Sequence, residues 1–566
     1  MDSVLRLDAD GYFIRGTQRI VPVGVNYWPA STGVDMWARW NPDEIQHDID
    51  LVASLGLNCI RFFLRWQDFE PEPGLYNPEA FKHLDQFMGW IVQRHLLVQP
   101  SLFVGSMSGG VFWPAWKQNR NLFTDPFMLE RSQSFARRVA QALAPFQEHL
   151  AGFDYGNEME GLPDSKSLTL AELRTWTHAV KTAVLAEIPR ALFVPGTSPG
   201  PLVGETAWRY DNDLGADFLS VHPYPIPYWQ GLRFDGLRDP FAQAFFPYAI
   251  KAARINGPVM VQEFATLITG AAAPQDAYLR SVLPAGWNAG ANGFLWWCLR
   301  DVKSRAYNYV RAGMESRLGL VDAQDRVKPG LEFFLEFARD VQTRPLPDRR
   351  SEIALYWPRH YHQQEDPGHT HNSPQTLHNR MLCAYHLLVR TGRNPSVVRG
   401  VVPLPPHLQV LIITGAHLDA DEVVMLTDWV RAGGKLIWHG PRWSEWGNDM
   451  VKLLGASPAD FRLPQNATVE AFGRSWNFAS HHTPENARMD ISPSGAEPLA
   501  ADSTGFPILW RHNLGKGCVL FTIPVIEEAV LSALGNLAAR DAWSDWYAGE
   551  LALLQTHDDR FAKRSN

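Results

Sequence analysis

The stretch Gly152-Phe153-Asp154-Tyr155-Gly156-Asn157 is a short, mostly apolar and aromatic run that ends against Glu158. Such a run reads as a buried strand, and a carboxylate at its end is costly unless pairing or chemistry holds it there. Val259-Met260-Val261-Gln262 leads into Glu263 in the same way. Working outward from these two, further β-branched or aromatic runs lie at Val21–Asn26, Cys59–Phe63, Leu97–Ser101, Leu192–Thr197, Phe218–His222 and Gly293–Trp297. Helix signals separate them. Asn41-Pro42-Asp43-Glu44 and Asn77-Pro78-Glu79 offer an N-cap followed by proline, and Thr169-Leu170-Ala171-Glu172 is a capping box. Eight strands alternating with helices predict a closed (β/α)8 TIM barrel, usually about 250 residues before insertions. An open doubly wound sheet would want a glycine-rich phosphate turn after an early strand, and the sequence has none.

Beyond Pro345 the pattern changes. Arg344–Arg350 reads as a linker, followed by strands at Ile353–Tyr356, Ser396–Val398, Val410–Thr414, Leu436–Trp438 and Cys518–Thr522. Helices are expected around Gln375–Val389 and from Asp419 to Ala432, the latter with Glu422 in the capping-box position. The expected organisation is a catalytic barrel over 1–343 opened by a small hairpin (Leu5–Ile20), a linker over 344–350, and a smaller flavodoxin-like α/β domain over 351–566. A chain of 566 residues exceeds what one core usually serves, in keeping with two domains.

Composition excludes several classes of function. The net charge of −8 argues against nucleic acid or an anionic membrane as partner, and no apolar run is long enough to span a bilayer. Met1–Gly16 carries scattered charges where an export signal would be apolar. The four cysteines are far apart in apolar segments, which predicts buried thiols in a reducing compartment, hence the cytoplasm. The 22 tryptophans suit sugar faces only if they gather at the mouth of a site; otherwise they are core.

In a barrel of this kind chemistry sits at the carboxyl ends of the strands. Those ends are Asn26, Arg61, Asn157 with Glu158, His222 with Tyr224, Glu263, and Trp296 with Trp297. Two acids on separate strand ends are what glycoside hydrolysis needs: one protonates the leaving oxygen and the other attacks the anomeric carbon. Arg61 and Tyr224 suit a nucleophile that must stay ionised, and a negative neighbour raises the pKa of an acid. Trp296 and Trp297 face opposite sides of their strand, so one packs and Trp297 is assigned to sugar.

These residues resemble the clan A glycoside hydrolases, especially families five and forty-two. Asn157-Glu158 and Glu263 match that clan's acid/base and nucleophile positions. Leu57–Arg61, His222-Pro223-Tyr224, Trp297 and Phe69–Tyr76 are similar to its recurring second-strand, sixth-strand, eighth-strand and loop segments. The resemblance covers Leu5–Gln342. It implies a retaining β-glycosidase acting by double displacement, with Glu158 as acid/base and Glu263 as nucleophile. Arg61, Asn157, His222, Tyr224, Trp297, Trp28 and Asn26 are its expected support and substrate-binding residues. No metal or organic cofactor is expected. β-Mannosides or manno-oligosaccharides lead as substrates; a β-galactosidase, a transglycosidase and a silent sugar-binding barrel are the alternatives. The second domain resembles the amidotransferase-like trimerisation domain of family forty-two and implies a homo-oligomer. Two sequence departures stand out: no histidine follows the third strand, and Met159-Glu160 follow Glu158 where family five usually has proline. Glu160 is a weaker candidate acid, and the histidines at 360, 362, 369 and 371 fit a solvated loop better than a zinc site.

Overall fold

The computed structural model describes residues 4–203, 206–210, 212–226, 228–229, 232–233, 235–267, 271–361, 374–400, 403–441, 446–462, 467–478, 488–533 and 535–564. It contains two compact units, Met1–Ile226 with Asp235–Asp348, and Pro227–Phe234 with Arg349–Asn566.

The first unit is the barrel. Its strands are β1 (Val23–Asn26), β2 (Cys59–Phe63), β3 (Leu97–Ser101), β4 (Phe153–Asp154), β5 (Phe193–Val194), β6 (Leu219–Val221), β7 (Val259–Phe264) and β8 (Ala291–Trp296). All pair in parallel, in the order β5-β4-β3-β2-β1-β8-β7-β6. The remaining seam, between β5 and β6, is bridged by Asp217 N–H on Phe193 O at 2.8 Å and Thr197 N–H on Ser220 Oγ at 2.8 Å. The helices start where the caps lie in sequence: Asn41 and Asn77 accept from Glu44 and Glu79 N–H, and Thr169 with Glu172 forms a complete capping box. At the N-terminus two turns, with Gly11 and Gly16 at positive φ, make a three-stranded antiparallel sheet where one hairpin was expected.

Inward-pointing side chains fill the barrel in layers. The bottom layer is apolar, built from Cys59, Leu97, Ala151, Val194, Phe218, Met260 and Leu295 and plugged by Leu5 and Phe13. Above it the barrel strands turn polar, at Asn26, Arg61, Gln99, Asp154 and Gln262, all fully buried. Between β7 and β8 the register shifts from Val261↔Phe294 to Phe264↔Trp296, so three steps on β7 face two on β8. A bulge of this type re-aims side chains. It lets the sequence neighbours Gln262 and Glu263 both serve the barrel mouth.

The second unit is an α/β sheet of strands β9 (Ile353–Trp357), β10 (Ser396–Arg399), β11 (Val410–Thr414), β12 (Lys435–His439), β13 (Glu497–Ala501), β14 (Pro507–Leu514) and β15 (Gly517–Thr522). The order β10-β9-β11-β12-β15 is the flavodoxin-like one, extended by antiparallel β14 and β13. Of these two, β13 escapes a reading by apolar runs because it is largely exposed. All four cysteines are buried thiols. Among the described residues no helix is long and apolar enough to cross a membrane.

Candidate active site

Arg61, the third residue of β2, organises the mouth of the barrel. Its side chain is wholly buried, which an arginine tolerates only with its donors met. Nε and Nη2 bond the Asp154 carboxylate, Nη2 reaches Asn157 Oδ1 at 2.8 Å, and Nη1 meets Asn26 Oδ1 at 3.1 Å and Glu263 Oε1. Burial works against its charge, but Asp154 and Glu263 outweigh that and hold the guanidinium ionised. Asp154 is itself braced by Gly156 N–H at 3.0 Å. Gly196, at φ 72°, lies so close that a Cβ would meet Asp154 Oδ1 at 2.0 Å, which is why glycine stands there.

Two carboxylates face each other above this layer. Glu263 is 5% exposed and accepts Arg61 Nη1 on Oε1 and the Tyr224 hydroxyl on Oε2 at 3.0 Å. Glu158 leaves β4 in a left-handed conformation, φ 47°, with its N–H on Gly196 O at 2.8 Å. Such a backbone is uncommon outside glycine, and it turns the Glu158 side chain, 34% exposed, toward the opening. His222 stands between them, Nδ1 2.8 Å from Glu158 Oε1 and 3.5 Å from Glu263 Oε2. One donor atom from each of the three lies within 4.8 Å of the others. Among the described residues this is the one group of carboxylate and imidazole atoms near enough to hold a metal ion, and the Arg61 guanidinium already supplies positive charge there.

Burial raises Glu263 above the ordinary carboxylate range, although His222 and Arg61 pull it back. Burial also works to raise Glu158, but its hydrogen bond to His222 and the charge of His222 outweigh it and hold Glu158 low. Burial works to lower His222, and the charges of Glu263 and Glu158 outweigh that and raise it. Burial, then Glu263, keeps Tyr224 a phenol.

The aromatic walls separate as their strand geometry requires. Trp296 points out of the barrel, with Nε1 on Leu318 O and its ring against Phe264. Trp297 points in, edge-on to Phe63 with Nε1 on Glu315 Oε2 at 2.9 Å. Trp28 is buried behind it and stacks on Phe63 at 5.2 Å. Trp37, Trp40 and Trp116 pack against Phe69, His83 and Trp66. Trp113 lies under the Lys117 ammonium. The side chain of Trp229 and that of His360, with His362, His369 and His371, lie outside the described residues. Asn157 donates through Nδ2 to Ser106 O at 2.7 Å, which leaves its second amide hydrogen for a ligand. Asn26 is fully buried and donates to Gln262 O at 3.0 Å and Trp296 O at 3.3 Å. Glu160 accepts Ser198 N–H at 2.8 Å, and burial with the nearby Glu158 pushes it up to about 7.

Sequence reasoning passed over Asp154, Gln99, Gln262 and Glu315. The first three carried a usable signal, since each is a polar residue inside an otherwise apolar strand at an inward position. Glu315 lies in the short 3-10 helix Gly313–Ser316 beyond the last strand and carried none.

No protein-family model matches the chain. It is 41% identical to a solved exo-β-1,4-mannosidase, Op5Man5 from Opitutaceae bacterium strain TAV5, with a TM-score of 0.92 over 96% of this chain and 99% of that one. The chain belongs to the clan A glycoside hydrolases. The glycosidase also shares its fold with the β-galactosidase of Rahnella sp. R3, at a TM-score of 0.67 and 14% identity over 92% of this chain and 88% of that one. A β-galactosidase of Aspergillus niger is 29% identical over 231 residues, which span 34% of this chain and 23% of that protein. The chain spans less than a quarter of the length of the curated β-galactosidases that it matches. Carboxyls this close suit a retaining mechanism, because retention needs a gap of about 5–5.5 Å and inversion about 6.5–9.5 Å.

Proposed function

We propose that the chain is an exo-acting β-mannosidase working by double displacement, with Glu263 as nucleophile and Glu158 as general acid/base. The observation that carries the reading is the Glu158–His222–Glu263 triangle, with atoms within 4.8 Å. Glu263 attacks the anomeric carbon while Glu158 protonates the departing oxygen; water, deprotonated by Glu158, then releases the sugar. Arg61 and Tyr224 hold the nucleophile ionised, Asn157 offers its remaining amide hydrogen to the sugar 2-hydroxyl, and Trp297 floors the site. Asn26 and Trp28 act behind these, through Arg61 and Phe63. The full-length likeness to an exo-β-1,4-mannosidase supports the β-mannoside, and small manno-oligosaccharides fit an exo enzyme. The A. niger match favours a β-galactoside as second reading.

The second unit we assign to assembly of a homo-oligomer, with the division at 344–350, and the buried thiols support a cytoplasmic enzyme. The test is a panel of nitrophenyl α- and β-glycosides with manno-oligosaccharides. Release from the β-mannoside alone is expected; release from the β-galactoside alone selects the second reading. Products transferred to added acceptor sugars in place of water would make it a transglycosidase. Binding of sugar without turnover overturns the enzyme reading.

A further inference from the structure

Two glutamines without exposed surface lie beneath the carboxylate pair, Gln99 in β3 and Gln262 in β7. An unmet amide group there costs about 1–3 kcal/mol, so the direction of each N and O matters. Met260 Sδ, 3.7 Å from Gln99 Nε2, sets that direction. A thioether sulfur accepts and cannot donate. Gln99 therefore turns its amide nitrogen to Met260 and its oxygen to Gln262, where it accepts from Nε2 at 2.6 Å. That leaves Gln262 Oε1 facing His222 Nε2 at 3.3 Å. A carbonyl oxygen is satisfied only by a ring nitrogen that bears hydrogen, so Nε2 keeps its hydrogen in either protonation state. The proton that His222 gains or loses is the one on Nδ1, 2.8 Å from Glu158.

We propose that Gln262, oriented by Gln99 and Met260, is a positioning residue that fixes the tautomer of His222 so that Nδ1 and Glu158 share one exchangeable proton. The inference rests on Glu158 being the acid/base. Neutral His222 then offers Glu158 a lone pair and favours the protonated carboxyl that the leaving group needs. The opposite tautomer would donate Nδ1–H to Glu158 and favour the ionised carboxylate, the wrong state for the first step. When the glycosidic C–O bond breaks, the departing oxygen takes the Glu158 proton. When water attacks, its proton returns to Glu158 or passes through it to Nδ1. The charged groups facing the imidazole are Glu158 beyond β4, Glu263 on β7 and Arg61 on β2. A neutral amide steers the proton without adding to that set.

The test compares kcat/KM on dinitrophenyl β-mannoside, which needs little acid assistance, and phenyl β-mannoside, which needs much. In Gln262→Met both fall, and the phenyl value falls about tenfold further, with its alkaline limb moved to lower pH. Gln99→Leu, which frees Gln262 to turn over, gives the same sign with a smaller effect, and carries the test should Gln262→Met fail to fold. Equal losses on both substrates in either folded variant, with the alkaline limb in place, overturn the inference alone. Wild-type protein that cleaves neither glycoside overturns the functional reading and this inference with it.

Discussion

Trp297 donates its indole N–H to Glu315 Oε2 at 2.9 Å, and the same carboxylate accepts the Ser108 hydroxyl on Oε1 at 2.9 Å. One buried acid thus ties Trp297 to the short hairpin of Ser106–Met107 and Gly110–Val111, which Asn157 holds at its other end through Ser106 O.

Glu315→Leu leaves two buried donors unmet, a cost of about 1–3 kcal/mol, and frees Trp297 to move. Its kcat/KM is expected to fall about tenfold, since 1.4 kcal/mol of lost positioning is a factor of ten. Glu315→Gln keeps an acceptor for Trp297 and loses less. Burial pushes Glu315 up to about 7, against Trp297 and Ser108. The unfolded carboxyl titrates near ~4.3, so between that pH and 7 the folded state binds more protons and stability falls as pH rises. Denaturant melts should therefore show Glu315→Gln gaining on the wild type between pH 5 and pH 8.

Glu263→Ala is expected to lose turnover by on the order of 10⁴ or more, whatever the leaving group. Glu158→Ala should lose about 10²–10⁴ on phenyl glycosides and far less on dinitrophenyl ones, because only the former need protonation. Steady-state kinetics on both substrates check the pair. Undiminished turnover in Glu263→Ala would move the nucleophile elsewhere.

Arg61→Met removes the cation shared by Asp154 and Glu263, both buried. Stranding buried carboxylates costs about 3–5 kcal/mol, so urea unfolding should shift by that amount together with loss of activity. Arg61→Lys should not restore either, since an ammonium lacks the planar fork that reaches Asp154, Asn157, Asn26 and Glu263 at once.

In the second unit His439, at the end of β12, sits wholly buried with Nδ1 on Glu527 at 2.7 Å and Nε2 on Glu550 at 3.1 Å. Burial works to lower it, but the two carboxylates outweigh that and lift it to about 10. The unfolded histidine titrates near ~6.5, so the contribution is full below that pH and is lost as pH rises toward 10. Stability of the chain, followed by denaturant melts at pH 7, 8.5 and 10, should fall along that series. In His439→Gln it should start lower and lose that slope.

Much of the barrel was legible because its signals are local. Each strand is a run of apolar residues, each helix opens on a cap such as Asn41 or Thr169, and the two acids stand at strand ends where a chain would not place charge for packing alone. The second unit was half legible. Its buried parallel strands read as apolar runs, while the largely exposed β13 offered no such contrast.

By itself the sequence determined the order of elements, the barrel that eight apolar strands alternating with helices imply, and the strand ends on which Glu158, His222 and Glu263 fall. The tertiary structure decided what those side chains do to one another. The bulge after Val261 aims both Gln262 and Glu263 at the mouth, and Arg61 joins four partners separated by up to 202 residues of chain. Glu315 reaches Trp297 from a short 3-10 helix. Such relations depend on angstrom-scale directions of N–H and C=O groups across strands, and residue spacing along a chain does not encode them.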